Sequence, residues 1–335
     1  MAENSRFKRQ QGVALITVLL VVALVVIIAS SMTGRLQLIA NRTINQQLYQ
    51  QGLWSGLAGE QLALKVLNQD FKDDPNKVHL QQLWSQQGMI FPLENGQLSG
   101  QIQDLRSCFN LNALAAEPDP TKPFSPTPVQ RQFEALLRSI EIEEYLVEKL
   151  SSTVRDWVDK NDKVESSIGA EDDSYASMQV PYLTPNSSMA TVTELLAIDG
   201  MTPALYRQIR PYVCVIPNDN DLTFNVNTID VEQPALLVAA FGDAFKLSLS
   251  DASSVLSSRK EDGFSDKDEF FATSEISKLG KLSADFKKQF KVTSDSFRAV
   301  MEFTIDKRTF TLESKLHRDD KGKLMVVSRQ FGDIE

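Results

Sequence analysis

From Val13 to Met32 the chain carries no charged side chain, and Thr17, Ser30 and Ser31 are its only hydroxyls. At ~1.5 Å per residue a helix of that length covers ~30 Å, the hydrocarbon thickness of a bilayer. A secretory signal has a shorter apolar stretch of ~7–15 residues, closed by small residues at a cleavage site. Ala29, Ser30 and Ser31 supply small residues, but the run is long for a cleaved signal. The pattern therefore predicts a membrane-spanning helix over residues 13–32. Beyond Met32 the apolar positions thin out rather than stop. Leu36, Ile39, Ala40, Ile44, Leu48, Leu57, Leu64 and Leu67 recur at helical spacing, with Arg35, Gln37, Asn41, Arg42, Asn45 and Gln46 between them. One helix is expected to leave the membrane, become amphipathic and run to about Asp70.

The far end of the chain has the other period. Ala299, Met301, Phe303 and Ile305 alternate with polar residues, as do Phe310, Leu312, Ser314 and Leu316. Asp306-Lys307 and Asp319-Asp320-Lys321-Gly322 supply turns. The pattern predicts a three-stranded antiparallel meander with one buried face. Gln97 to Leu105 reads as a further strand. The stretch between that strand and the meander is too long for a loop and looks mostly helical. Phe133 to Val158 is amphipathic, with Leu136, Leu137, Ile140, Tyr145, Leu146, Leu150, Val154 and Trp157 as candidate core positions. An internal repeat also runs through this stretch. "CFNLNAL" from Cys108 and "TFNVNTI" from Thr223 each lead into helices. "TELLAIDGMTPALYRQI" and "DEFFATSEISKLGKL" follow, and "YVCVIPN" and "FKVTSDS" close the two copies. The expected class is α+β, a long N-terminal helix packed on an antiparallel sheet with a large, mostly helical domain inserted in the sheet.

Composition narrows the chemistry. The 335 residues are 42% hydrophobic, enough for two domains or one domain with a large insertion. A formal net charge of −9 suits no polyanion, so no nucleic-acid partner is expected. Two histidines and two cysteines leave little for a zinc site or a Cys/His catalytic pair. No nucleophile elbow or P-loop is present, and His79 and His317 stand apart and read as exposed. The chain is expected not to be an enzyme. The basic head, Arg6, Lys8 and Arg9, should stay in the cytoplasm and leave the rest of the chain outside the inner membrane.

Three features remain to be weighed. Between Asp156 and Asp173 lie Asp156, Asp159, Asp162, Glu165, Glu171, Asp172 and Asp173, opposed only by Lys160 and Lys163. Calcium takes hard oxygen ligands from flexible carboxylates and carbonyls, which this stretch could supply. It is no EF-hand, since Val164 stands where that loop has its glycine. The alternative is a solvated acidic loop. Cys108 and Cys214 would pair in an oxidising periplasm, against the alternative of two buried free thiols. "LLAIDGMTPALYRQI" resembles a helix-hairpin-helix. Asp199 and Thr202 do not suit phosphate, and Arg207 and Arg210 are few, so it reads as a packing hairpin.

The short basic leader ending in Gly12, the apolar run starting at Val13 and the continuing amphipathic helix resemble a type IV pilin-like prepilin. The resemblance implies that prepilin peptidase cuts between Gly12 and Val13, that Val13 becomes methylated, and that the helix is kept. Most members of that class carry a glutamate at the fifth residue after the cut, paired with a neighbour's N-terminal ammonium. Here Thr17 occupies that place. The departure, the helical insertion, the paired N-x-N segments and "VTELLAIDGMTPALYRQIRPYV" together resemble the K-subunit family of type II secretion minor pseudopilins. That resemblance implies a leader over 1–12, a transmembrane part over 13–32, a pseudopilin core over 33–108 and 292–335, and an inserted domain over 109–291 with two related halves. It implies a single-pass inner-membrane protein, mostly periplasmic, that caps the pseudopilus tip and helps initiate its assembly for export of folded proteins. Thr17 would then mark a position at the end of the filament. The implied partners are minor pseudopilins I and J and prepilin peptidase, with the major pseudopilin, secreted substrates and outer-membrane channel as further contacts. The family's D-W-x-D…G-A-E-D-D pattern implies calcium held by Asp159, Asp162, Glu171, Asp172 and Asp173. Two other readings stay open at this point. One is a membrane-anchored helix-hairpin-helix DNA-binding or uptake protein; the other is an anchored periplasmic calcium-binding module outside any filament.

Overall fold

The computed structural model describes residues 12–332 apart from 87, 89, 94–95, 119–120, 122–124, 165 and 306–307. Residues 1–11 of the expected leader, Glu165 and the Asp306-Lys307 turn lie outside the described residues. The chain divides into two compact units, 1–54 and 55–335. In the first, the described residues from Val13 onward belong to helix α1 (Val13–Asp73). Every side chain from Val13 to Met32 is exposed. A helix apolar on all sides has no aqueous partner for that surface and is matched to a bilayer. Within its first turns the Thr17 hydroxyl donates to the carbonyls of Val13 (3.1 Å) and Ala14 (2.9 Å), so its polar group is satisfied inside the helix.

In the second unit the later turns of α1 lie on a five-stranded antiparallel sheet of order β1-β2-β7-β8-β9. Its strands are β1 (Ile90–Leu93), β2 (Gly96–Asp104), β7 (Ser296–Ile305), β8 (Arg308–Arg318) and β9 (Leu324–Phe331). Gly56, Gly59, Ala63, Leu67 and Phe71 make the buried stripe of the helix, at spacings of three and four. Leu98, Met301, Phe303, Leu312 and Leu316 make the buried face of the sheet. Helix and sheet approach so closely that a Cβ on Gly59 would sit 2.8 Å from Met301 Cγ. The alternation read from residues 299–316 is the one that packs. Strand β1 was not expected, because Pro92 interrupts its pattern. Proline is tolerated here because β1 is an edge strand, paired among the described residues with β2 alone.

One ion pair ties helix to sheet. Glu60 is fully buried, and its carboxylate takes Arg329 Nε (2.6 Å), Arg329 Nη2 (2.9 Å) and the Ser314 hydroxyl (2.7 Å). Burial alone would raise its pKa, but Arg329 and Ser314 outweigh that and hold it below the ordinary 4.5. A carboxylate depressed in the folded state stabilises above its unfolded pKa and loses that contribution as pH falls through the folded value. The helix–sheet joint should therefore weaken only below about pH 4.5. Arg329→Ala strands a buried carboxylate and should cost about 2 kcal/mol, since half-exposed Arg329 is partly screened. Glu60→Gln keeps a partner for both neighbours and should cost about half as much. Urea melts at neutral pH check this; equal losses would show that the charge pair is not what holds the joint.

The insertion hangs between hydrogen-bonded neighbours, leaving the sheet at the end of β2 and returning at β7, where Asp104 pairs with Phe297. The Asp104 carboxylate is buried and gathers Arg106 N (2.7 Å), Asn225 Nδ2 (2.9 Å), Thr228 Oγ1 (2.6 Å) and the Ser294 hydroxyl. Burial pushes its pKa up against those donors. The first half of the insertion contains β3 (Phe109–Asn110), α2 (Pro128–Ser139), α3 (Glu144–Val158), α4 (Asp172–Ala176), α5 (Pro203–Ile209) and β4 (Val213–Cys214). The second contains β5 (Phe224–Asn225), α6 (Pro234–Phe241), α7 (Leu249–Ser258), α8 (Lys267–Phe271), α9 (Ser274–Ser277), α10 (Ala284–Lys287) and β6 (Phe290–Lys291). Strand β3 pairs in parallel with β4, and β5 with β6.

The N-x-N segments do the same work in both halves. Asn112 brackets Met189, accepting from its N–H (2.8 Å) and donating to its carbonyl (3.2 Å). Asn227 brackets Phe264 in the same way, at 2.7 and 3.0 Å. The halves differ between the preceding helix and the bracketed residue. Residues 259–263 make that link in the second half, with Arg259 Nη1 donating to the carbonyls of Val226 and Ile229. In the first half residues 159–188 intervene, and they contain most of the acidic stretch.

The amphipathic stretch over 133–158 folds as two helices. α2 begins on a Thr127/Gln130 capping box with Pro128 at its first turn. It ends where Glu141 takes φ +63°, and α3 folds back against α2. Tyr145, expected in the core, is exposed, whereas Leu136, Leu137, Leu150, Val154 and Trp157 are buried. His79 and His317 are half-buried rather than exposed.

Candidate metal centre

Helix α3 buries Val147, Leu150, Val154, Trp157 and Val158. Its last turn therefore carries Asp156 inward, and Asp159 follows as the C-cap, three residues on and on the same side. The chain then makes its excursion and returns across the helix end at Gly169-Ala170. Ala170 N donates to Asp156 Oδ2 (2.9 Å). A Cβ on Gly169 would lie 2.1 Å from that same oxygen, so only glycine allows the return. The next residue, Glu171, points into the same space. Asp156, Asp159 and Glu171 are 1, 5 and 2% exposed, and one carboxylate oxygen from each lies within 4.8 Å of the others.

Glu171 bears the electrostatic cost. Burial, then the charges of Asp156, Asp159 and Asp172, push its pKa up to about 7 against the Thr184 hydrogen bond. Its Oε2 accepts from Thr184 Oγ1 (3.1 Å), while Oε1 is buried with no hydrogen-bond partner. A buried acceptor in that state costs about 1–3 kcal/mol. A hard divalent cation would remove both penalties. Two oxygens on one calcium at 2.3–2.6 Å can stand up to about 5 Å apart, a limit this cluster meets.

Among the residues expected as ligands, Asp159 and Glu171 come together. Asp172 is half-buried and ties the excursion down, its Oδ1 accepting from Thr184 N (3.0 Å) and Oγ1 (2.7 Å). Asp162 and Asp173 are exposed and lie outside the cluster. Asp156 joins it instead, and its spacing from Asp159 was the available signal. An aromatic group backs the site, with Trp157 5.5 Å from Tyr175 and Tyr175 5.2 Å from Tyr182 between ring centres.

Cys108 and Cys214 form a disulfide, with Cα atoms 5.8 Å apart and a sequence separation of 106. It lies where the chain enters the insertion, beside the β3–β4 pair. The hairpin at 195–209 packs through Leu195, Ile198, Tyr206 and Ile209, all buried. Asp199 is paired with Lys149 at 2.5 Å, and Arg207 Nε turns back to the Pro203 carbonyl. Both side chains are thus engaged in the hairpin's own packing rather than turned outward to an anion.

The family described as "Type II secretion system (T2SS), protein K" matches residues 107–218 and again 224–293. Type II secretion system protein K of Aeromonas hydrophila is 41% identical over 98% of this chain and 99% of its own length. That of Pectobacterium carotovorum subsp. carotovorum is 35% identical, over 97% of each. A solved chain from the GspK-GspI-GspJ complex of the enterotoxigenic Escherichia coli type 2 secretion system superposes with a TM-score of 0.77 at 31% identity. It covers 88% of this chain and all of its own.

Proposed function

The chain belongs to the type II secretion system protein K family, and we propose from that premise how this minor pseudopilin is processed, anchored and placed in its filament. The observation that carries the reading is α1 itself, which is apolar on every side over 13–32 and has a sheet packed on its later turns. Prepilin peptidase would cut between Gly12 and Val13, and the retained helix, methylated at Val13, would hold the protein in the inner membrane with its bulk in the periplasm. Mass spectrometry of the mature N-terminus tests this. A start at methylated Val13 is expected; an intact Met1, or a cut at Ala29–Ser31, overturns it.

Minor pseudopilins I and J are the partners, as the complex of the solved relative supports. Two features favour a place at the tip. Thr17 bonds within its own helix and offers a neighbour's N-terminus no carboxylate. The insertion leaves the sheet beside the last turn of α1, where Phe71 meets Phe297 at 5.8 Å, so its bulk would obstruct a subunit stacked beyond that end. From there the protein would start filament assembly and meet secreted substrates or the outer-membrane channel. Its role is assembly rather than catalysis. Calcium at Asp156, Asp159 and Glu171 would lock the excursion. The paired Asp199 and the back-turned Arg207 argue against the DNA-binding reading. An anchored calcium module outside any filament would not co-purify with I and J.

A further inference from the structure

The strand period that turns Leu312, Ser314 and Leu316 toward α1 turns Glu313 and Lys315 to the opposite face of β8. The insertion reaches over that face, and between the two opens a cleft of about 390 Å³, the size of a small-ligand site. Cross-strand pairing sets its floor. Gln103 lies opposite Arg298 and Arg298 opposite Lys315, and in the next row Glu313 lies opposite Gln330. The insertion contributes Thr191, Thr193, Arg210 and Asp230.

The buried charges of the cleft are matched except at one place. Glu313 is held by Arg298 Nε (2.8 Å) and Nη2 (2.6 Å), and Arg298 Nη1 reaches Gln103 Oε1 (3.1 Å). The Asp104 carboxylate is taken up by the four donors at the junction. Arg210 and Asp230 are exposed and opposite in sign. Lys315 is 6% exposed, and its Nζ donates to the Ala190 carbonyl (2.8 Å) but makes no ion pair among the described residues. An ammonium has three N–H donors, so two remain at a buried position. Burial pulls the Lys315 pKa below the ordinary 10.5, with Glu313 and Glu194 opposing from a distance and Arg298 adding to the shift. A buried cation with no counter-charge is costly, and in a cleft it marks a place for a ligand of opposite sign.

We propose that this cleft binds an extended peptide segment of a partner protein through an acidic side chain, whose carboxylate pairs with Lys315. The Thr191 and Thr193 hydroxyls are 2.7 Å apart, so one proton is used between them and the other is left to donate to the same carboxylate. Gln101 and Gln330 line the cleft with exposed amides in the row of Glu313. Each amide both donates and accepts, which complements the backbone on either side of the acid. A free carboxylate would use the ammonium and leave those amides to water. The inference does not depend on where this chain sits in its filament.

The probe is a rhodamine-labelled peptide with blocked ends, a glutamate flanked by alanines, titrated by fluorescence anisotropy against the full-length protein in detergent. The same peptide with glutamine in place of glutamate should bind about tenfold more weakly, the loss expected for one charge-assisted hydrogen bond. Lys315→Met removes the ammonium and keeps most of its volume, and is expected to fold because it also removes the cost of a buried charge. That variant should bind both peptides alike, at the weaker level. Free glutarate should displace the label about tenfold less well than the unlabelled glutamate peptide; equal displacement overturns the peptide assignment. A wild-type chain that binds the two peptides equally, or binds neither, overturns the inference. So does a Lys315→Met chain that keeps the preference for glutamate. Should the methionine chain fail to fold, the glutamate and glutamine peptides on wild type carry the test by themselves.

Discussion

A Cys108→Ser/Cys214→Ser chain should melt on the order of 10 °C below the wild type. The bond joins residues 106 apart, and in the chain-entropy account a closed loop of that size is worth up to ~4–5 kcal/mol. For a unit of this size each kcal/mol moves the midpoint by roughly 2–4 °C. Two features keep the loss from being larger. The parallel β3–β4 pairing survives without the bond, and Asn110 still holds the end of the first half by accepting from Ile216 N (3.1 Å). The variant is therefore expected to fold, with the loss concentrated in the first half of the insertion. Calorimetry of the detergent-solubilised chain, with and without reductant, measures it. A midpoint unchanged by both reduction and substitution would show that the bond constrains nothing the rest of the half does not already hold.

Stripping divalent cations should have the second-largest effect. If calcium holds Asp156, Asp159 and Glu171 together, saturation at about a hundred times its dissociation constant adds about 2.7 kcal/mol. A chelator should remove that and added calcium should restore it. Glu171→Gln separates metal binding from packing. It deletes a carboxylate whose charge is disfavoured by burial and by its acidic neighbours, so the variant should lose the calcium response while melting at or above metal-free wild type. Gly169→Ala reaches the same end by another route. Its methyl displaces Asp156 Oδ2, so calcium affinity should fall about tenfold or more with every carboxylate present. A melting curve indifferent to chelator and calcium would sink the assignment, leaving the cluster as three buried acids and nothing more.

Long-period features were the legible ones. The helix over 13–73 and the alternation in β7 and β8 carry their burial in residue spacing, and the repeat shows in the two N-x-N segments. What the sequence hid depends on contacts between distant parts of the chain. Strand β1 exists because β2 lends it a partner, which its own Pro92 obscures. The break at Glu141 leaves the apolar period uninterrupted, because Ile140 and Ile142 are both buried through the turn. Local composition shows that residues 156–173 are acidic but not which acids meet. That depends on where the excursion returns, and the return is set by Gly169, whose lack of a side chain lets Ala170 reach Asp156. A glycine two residues ahead of an acid run was the local mark of it.

The placement of the insertion also bears on the order of folding. Strands β2 and β7 are neighbours in the sheet, yet almost two hundred residues separate their paired positions. Closing so long a loop as an unstructured coil is entropically slow. The insertion need not stay unstructured, because each half has its own parallel strand pair and its own asparagine bracket. Once those halves condense, Asp104, Asn225, Thr228 and Ser294 draw the exit and return points to one spot, and β2 and β7 are already side by side. The sheet of this subunit is thus expected to close last, templated by a domain that takes no part in it.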